Sequence, residues 1–299
     1  MRRGLLVYNP RAGSKDRRAE MRGVLERAEN AGLSLLNLPT ERPGHATELV
    51  TDACGRGVDA VVVFSGDGGF NEALNGLDGD VPIGFLPGGG TSVLPRALGI
   101  SHQPDFAALQ VAEAIAAGRT RRISLGRVNG RRFAFSAGVG IDAEAVRRVD
   151  AMGRADDGKR PGDLAFARAV VAAVAANKGH VEPALEIADH GRAAFAFVAN
   201  GSPYTYARNI PMPLVPDADF ELGLDFVAPT RLRRRSLLWT TYALLRGHPR
   251  AGKFLVGHDL DRIEIHCDRP LPLQVDGEDL GDVEHAVFEA ERSAVSVLV

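Results

Sequence analysis

From Ala60 to Leu77 the chain reads AVVVFSGDGGFNEALNGL, five apolar residues running into Ser65-Gly66-Asp67-Gly68-Gly69 and then a short amphipathic run. Glycine has no Cβ, so its backbone N–H can come close to a ligand. The start of a helix adds unpaired N–H groups and a partial positive charge. Together these make an anion site suited to phosphate. Two further stretches have the same character, NPRAGS from Asn9 and PGGGTS from Pro87. A tight strand-to-helix turn explains any one of them equally well, but three at one sheet edge favour a nucleotide. None is a P-loop, since AGSK at Ala12–Lys15 lacks the required spacing, and G-x-G-x-x-G counted from Gly66 ends on Asn71. An acid stands among the amides instead. A carboxylate there repels phosphate unless a cation lies between them, a role for Mg²⁺, so Asp67 is the candidate metal ligand.

The surrounding elements must place these turns together. Over the first 120 or so residues, short apolar runs (GLLVYNP, LSLLNLPT, DAVVVF, VPIGFLP) alternate with helix patterns. This alternation predicts a parallel sheet with helices on its faces. Ligands of such sheets bind beyond the carboxyl ends of the strands, where the glycine turns fall. The second half reads as short strands, RRFAFSAGVG, PALEIAD, AAFAFVAN, FELGLDFVA, DRIEIHCD, LPLQVDGE, HAVFEA and AVSVLV, with helices expected at 142–150, 161–177 and 231–246. The expected fold class is α/β: an N-terminal parallel-sheet nucleotide-binding domain over 1–122, then an antiparallel β-rich domain with a few helices over 123–299. The last 10–15 residues are expected to return to the first domain.

Composition narrows the classes. The chain has 299 residues, is 45% hydrophobic and carries a formal net charge of -2, which argues against a nucleic-acid partner. Cys54 and Cys267 lie far apart and outside any CxxC, and His180, His190 and His248 show no metal spacing. The apolar run after the basic N-terminus is too short for a signal peptide. LAFARAVVAAVAA is interrupted by Arg168 and falls short of a membrane span. A cytoplasmic protein is the expectation.

SGDGGFNEALNGL resembles the Gly-Gly-Asp-Gly-Thr-x-Asn-Glu-x-x-Asn-Gly signature of the diacylglycerol kinase and sphingosine kinase catalytic-domain family. PIGFLPGGGTSVLPRALGI is similar to its second signature, NPRAGS to its opening, RRFAFSAGVGIDAE to its Phe-x-Asn-x-Ala-Gly-x-Gly-x-Asp-Ala stretch, and LQVDGE to its Asp-Gly-Glu. The matches occur in order over nearly the whole chain. The resemblance implies a lipid kinase using ATP and Mg²⁺, with diacylglycerol first among acceptors. It implies nucleotide contacts from Asn9 and Thr40, and phosphate contacts from Ser65, Gly66, Gly68, Gly69, Gly88, Gly90 and Thr91. It gives Asp67 a role in holding metal or in catalysis, and makes Glu278 the base candidate. Glu72, expected in the first turn after the loop, is a nucleotide contact or a helix-start carboxylate. Bacterial relatives imply a homodimer. An NAD kinase-like enzyme and a non-catalytic nucleotide- or lipid-binding relative are the alternatives.

The chain departs from the family pattern at Gly69, where Thr is usual, at Ser92 and Leu94, and at Ser124, where bacterial relatives often carry Asp. Asp276, Asp279 and Asp282 flank Glu278 and compete with it for the catalytic role. A lipid acceptor implies peripheral contact with the inner membrane face. Arg231–Trp239 is one candidate for that contact, the other reading being a core helix with a solvated basic start.

Overall fold

The computed structural model describes residues 2–10, 17–151, 172, 180–207, 210–233, 239–240, 243 and 252–299. Contacts divide the chain into two units, Met1–Ile123 with Ser293–Val299, and Ser124–Arg292. The first contains β1 (Arg2–Tyr8), α1 (Arg17–Asn30), β2 (Leu33–Pro39), α2 (His45–Gly55), β3 (Ala60–Ser65), α3 (Asp67–Gly76), β4 (Ile83–Pro87), α4 (Val93–Ala97) and α5 (Pro104–Ala117). Every residue of β3 and β4 is buried, the unbroken apolar pattern of strands covered on both faces. All pairings here are parallel, in the order β2-β1-β3-β4. Because β1 lies between β2 and β3, the chain leaves β1 in one direction and later continues in the other. The loops after β1 and β3 therefore diverge at a switch point, where open α/β sheets bind ligands. Right-handed crossovers then put α1 on one face and α2 with α3 on the other. The observed packing agrees, α2 lying on α3 and α1 on α5.

β5 (Thr120–Val128) leads into the second unit. There follow β6 (Arg131–Phe133), β7 (Ser136–Val139), α6 (Ile141–Ala151), β8 (His180–Val181), β9 (Leu185–Ile187), β10 (Gly191–Ala193), β11 (Ala196–Ala199), β12 (Thr205–Ala207), β13 (Ile210–Met212), β14 (Leu224–Pro229), β15 (Leu232–Arg233), β16 (Phe254–Leu260), β17 (Arg262–Val275) and β18 (Glu278–Leu298). The antiparallel path runs β16-β14-β11-β7-β17-β18. Its inner face carries Phe133 and Phe288, edge to face at 6.3 Å between centroids, with Val198, Phe226 and Ile265 in the same core.

The second half differs from expectation in three respects. DRIEIHCD and LPLQVDGE are one strand, β17. Its pairing with β18 shifts register between His266 and Leu271, and again between Pro272 and Gln274. Pro270 and Pro272 lack the ladder N–H, so bulges absorb them without ending the strand. HAVFEA and AVSVLV likewise belong to one strand, β18. The helix expected at 231–246 does not begin where expected: Leu232 and Arg233 form β15, paired with Val181 and His180. Trp239, Thr240 and Ala243 are helical, and the rest of that segment, like 161–177 apart from Ala172, lies outside the described residues.

The end of β18 belongs to the first unit. Val297 pairs with Ile83 of β4, and Val295, Val297 and Leu298 are buried. Arg122 holds this segment through Ser296 Oγ at 3.4 Å and bonds Asp80 at 2.6 Å. Val297→Ala removes two fully buried methyl groups. It should cost about 2 kcal/mol, measured as a lowered denaturation midpoint.

Candidate functional site

The register of the first sheet aligns the predicted nucleotide residues. Tyr8 pairs with Pro39 and with Phe64, and Ser65 with Pro87. Asn9, Thr40 and Ser65 therefore stand side by side at one carboxyl edge, with Gly88 one residue beyond that row. The ladder continues into the turns: Asn9 N–H donates to Phe64 O at 3.1 Å, Thr40 N–H to Tyr8 O at 2.8 Å and Gly88 N–H to Ser65 O at 2.7 Å. Residues 11–14 of the opening motif lie outside the described residues.

Asp67 joins two of the glycine turns. It opens α3, and its carboxylate accepts the N–H groups of Val93 and Leu94, each at 3.1 Å. It thereby caps α4, whose N-cap Ser92 stands in the left-handed region at φ 48° and has no capping bond of its own. The turns also touch backbone to backbone, since a Cβ on Gly89 would lie 2.9 Å from Gly66 Cα. Glycine at 89 is required by this close approach. A Cβ on exposed Gly90 would meet only open space. The first helical bond of α3 runs from Phe70 N–H to Gly66 O at 3.1 Å, so helix geometry leaves the amides of Asp67, Gly68 and Gly69 without an intrahelical acceptor. Each Asp67 oxygen accepts a backbone amide, and an ionised carboxylate has about four lone-pair sites in all. This donor set fits Mg²⁺, which is commonly held by one or two carboxylates together with substrate phosphates and water.

Two predicted residues have other partners or neighbours than expected. Glu72 lies in the second turn of α3, not the first. Its carboxylate accepts Ala46 N–H at 3.2 Å, and its carbonyl accepts Thr47 Oγ1–H at 2.8 Å. It fastens α3 to the start of α2, a helix whose N-cap, Gly44, has no side chain to offer. Gly69 has a packing reason: a Cβ there would overlap the hydroxymethyl group of buried Ser65. Where the family signature has Gly and then Thr at these two positions, this chain carries Ser and then Gly. The hydroxyl has moved across the turn.

The second unit presents Glu278 at the end of a hairpin turn. Asp276 and Gly277 have φ 46° and 80°, a two-residue turn of the Asp-Gly kind between Val275 and its partner Glu278. The neighbouring acids are engaged. Asp276 is buried and accepts the N–H groups of Ala134, Phe135 and Ser136 at 2.6, 3.0 and 3.1 Å. Arg147 bonds Asp279 at 2.8 and 3.0 Å and Asp282 at 2.6 Å. Partial burial works to raise the Asp279 pKa, but Arg147 and the Gly281 amide leave it lowered overall. Glu278, half-buried, has a looser 3.4 Å contact with Arg131. Ser124 is fully buried, and its carbonyl accepts from Asn200 Nδ2 at 2.8 Å.

One group was not singled out from the sequence. Asp142, in the first turn of α6, is buried and accepts Tyr204 O–H at 2.8 Å and Gln274 Nε2–H at 2.7 Å. Burial pushes its pKa up to about 6, against the two hydrogen bonds that lower it. A Cβ on Gly138 would strike Asp142 Oδ2, so Gly138, within the glycine-rich SAGVGID run, makes the room for this carboxylate. That run was the available signal. Trp239 is half-buried, packs on Phe254 at 6.1 Å and has Lys253 Nζ 4.5 Å from its ring centroid. His45 Nδ1 accepts Glu41 N–H at 3.1 Å and so serves its own loop.

The mixed α/β fold, with its parallel sheet and antiparallel β-rich region, is that of the diacylglycerol kinase and NAD kinase structures. A diacylglycerol kinase from Bacillus anthracis str. Sterne superposes with TM-score 0.71 at 19% identity over 99% of this chain and 96% of that one. An NAD kinase from Archaeoglobus fulgidus, solved in complex with ATP, gives 0.53 at 12% over 99% and 93%. Residues 3–128 match the family described as Diacylglycerol kinase catalytic domain. A diacylglycerol kinase of Bacillus subtilis (strain 168) is 35% identical over 143 residues, 47% of this chain and 46% of that protein. One from Staphylococcus aureus (strain MRSA252) is 30% identical over 138 residues, 44% and 42% of the two. The chain thus spans about half the length of the curated relatives it matches.

Gly69→Thr should cost about 1–3 kcal/mol by overpacking against Ser65. The double variant Ser65→Gly/Gly69→Thr should recover most of that loss, a coupling read from denaturant midpoints. For Asp142 the folded pKa is raised, so its contribution to stability is fully present below about pH 4 and is lost as pH rises through about 6. The stability of the natural protein relative to Asp142→Asn should therefore fall across that window in paired unfolding curves.

Proposed function

We propose that the chain is a lipid kinase of the diacylglycerol kinase type, transferring the γ-phosphoryl group of ATP to a hydroxyl of a membrane lipid, diacylglycerol first among them. The observation that carries this reading is the division of labour around Asp-Gly-Glu. Asp276, Asp279 and Asp282 are each bound by backbone amides or by Arg147. Asp276 thereby fixes the turn that presents Glu278, which lies 3.4 Å from Arg131 and would take up the proton. The family match over residues 3–128 and the names of the relatives support the same conclusion.

Phosphoryl transfer has a loose, charge-spread transition state, so the protein has to align the acceptor and neutralise phosphate. The amides at the start of α3 and the Gly88–Gly90 turn would receive the phosphates. Asn9, Thr40 and Ser65, at the strand ends, and Thr91, just past the Gly88–Gly90 turn, would contact the nucleotide. Asp67 would hold Mg²⁺, which when bound supplies charge neutralisation on the phosphate oxygens. Glu278 would accept the acceptor hydroxyl's proton late in the transfer. Gly69 removes a hydroxyl from the phosphate loop, and Ser65, at the end of β3, would supply one.

No helix among the described residues is long and apolar enough to cross a membrane. A cytoplasmic protein meeting its lipid at the inner membrane face, as a homodimer like bacterial relatives, belongs to this proposal. Contact through Arg231–Trp239 draws less support from the structure, because Trp239 is packed against Phe254 and Lys253. The NAD kinase-like and non-catalytic readings are separated from the lipid kinase by one assay. Label from γ-labelled ATP with Mg²⁺ is followed into a bacterial lipid extract in mixed micelles, and in parallel into NAD.

The natural protein should label a lipid that co-migrates with phosphatidate. Glu278→Gln should lower kcat by about 10²–10⁴-fold with ATP binding retained, and Asp67→Asn should lose activity together with its Mg²⁺ dependence. Labelled NADP, or ATP binding without transfer to either acceptor, would overturn the assignment.

A further inference from the structure

Far along the β17–β18 hairpin from Glu278 lies a group with different chemistry. His266 of β17 stands directly opposite His285 of β18, and Glu264 lies two residues before His266 on the same strand. Period-two alternation puts all three on one face, while Ile263, Ile265, Ala286 and Phe288 between them are buried on the other. The two imidazoles are stacked, with centroids 4.4 Å apart and planes 10° from parallel. Both turn Nε2 toward the same atom, Glu264 Oε1, His285 at 2.8 Å and His266 at 3.3 Å. One potential ligand atom from each residue lies within 4.8 Å of the others.

Two imidazole nitrogens and one carboxylate oxygen converging on one volume are a donor set for a borderline divalent ion, whereas Mg²⁺ would require oxygen donors. Zinc–ligand bonds of about 2.0–2.1 Å in a tetrahedron imply ligand separations of about 3.3 Å, close to what the Glu264 and His266 atoms already have. The outer contacts are also suitable. Arg262 takes the other carboxylate oxygen, Glu264 Oε2, at 3.1 Å, which orients Oε1 toward the histidines as a supporting hydrogen bond does for a metal ligand. Exposed Glu186 of β9 pairs in register with His266 and brings a second negative charge to the row.

We propose that Glu264, His266 and His285 form a Zn²⁺ site with one open coordination position. The site joins β17 to β18 and is separate from the carboxylate assigned to catalysis: His285 is seven residues along β18 from Glu278, roughly 20 Å at strand rise. It does not depend on the lipid kinase reading. An ion here ties together the two strands whose turn presents Glu278.

The test is calorimetric titration of the tag-free full chain with ZnCl₂ in a non-chelating buffer, checked by competition with a chromophoric chelator. Co²⁺ absorption serves as the reporter of ligand set. The natural protein should bind one Zn²⁺ that is weakened at least tenfold in both His266→Ala and His285→Ala, and also weakened in Glu264→Gln. The thermal midpoint should rise with Zn²⁺ in the natural protein and not in His285→Ala. All three side chains are exposed or half-buried, so the variants should fold, with circular dichroism as the check. Zinc binding that is absent, or equal in the natural protein and the histidine variants, would overturn the proposal.

Discussion

The Asp67 carboxylate bonds two backbone amides of a loop more than twenty residues away, and the geometry of the candidate phosphate edge depends on it. The Gly66 and Gly88–Gly90 turns belong to neighbouring strands and have no side chains with which to hold one another. Their backbones approach to a distance that a Cβ on Gly89 would not permit. A five-residue helix, α4, begins there on a residue in left-handed conformation and needs an outside acceptor for its first amides. One acid meets these needs, since a carboxylate accepting backbone N–H groups makes charge-assisted bonds stronger than neutral ones. A carboxylate can accept amides and hold a cation together, so the fastening and the proposed metal role are compatible.

The second unit uses an aspartate in the same manner. Asp276 gathers three consecutive amides at the entrance to β7 and occupies a position of its hairpin turn with positive φ. In both motifs the aspartate beside glycine is an internal fastening for backbone, and the position of Glu278 depends on a neighbour that holds three amides. This separates two acids that a motif presents as equals. Asp276 is committed to the fold, and Glu278, next but one along the chain, is presented by it.

Much of the first unit was legible in the sequence because each buried parallel strand is an unbroken apolar run closed by a turn signal. The positions of Asn9, Thr40, Ser65 and Gly88 at strand ends followed from that pattern. Their alignment did not, because it depends on strand order and register, which involve residues far apart in sequence. Gly69 read as the loss of a hydroxyl, and its packing against Ser65 is visible only in the folded chain. Glu72 read as a nucleotide contact or a helix-start acid for α3; its carboxylate bonds the start of α2, an adjacency set by the sheet. In the second unit, DRIEIHCD and LPLQVDGE read as two strands, but bulges at the prolines keep one strand continuous, and Arg231–Arg233, which resembled a basic helix start, proved to run into a short strand held by 180–181.

The sequence alone determined the alternation of strand and helix, the glycine turns at strand ends, and the Asp-Gly turn before Glu278. These are local properties, written in periodicity and in the conformations that glycine permits. Tertiary structure decided which acids are spent on backbone, where Asp142 is buried, and that Glu264, His266 and His285 face one another. The two histidines are separated by a long hairpin with two register shifts. Each shift changes which residues stand opposite, and it is set by how the proline-bearing strand bulges against its partner.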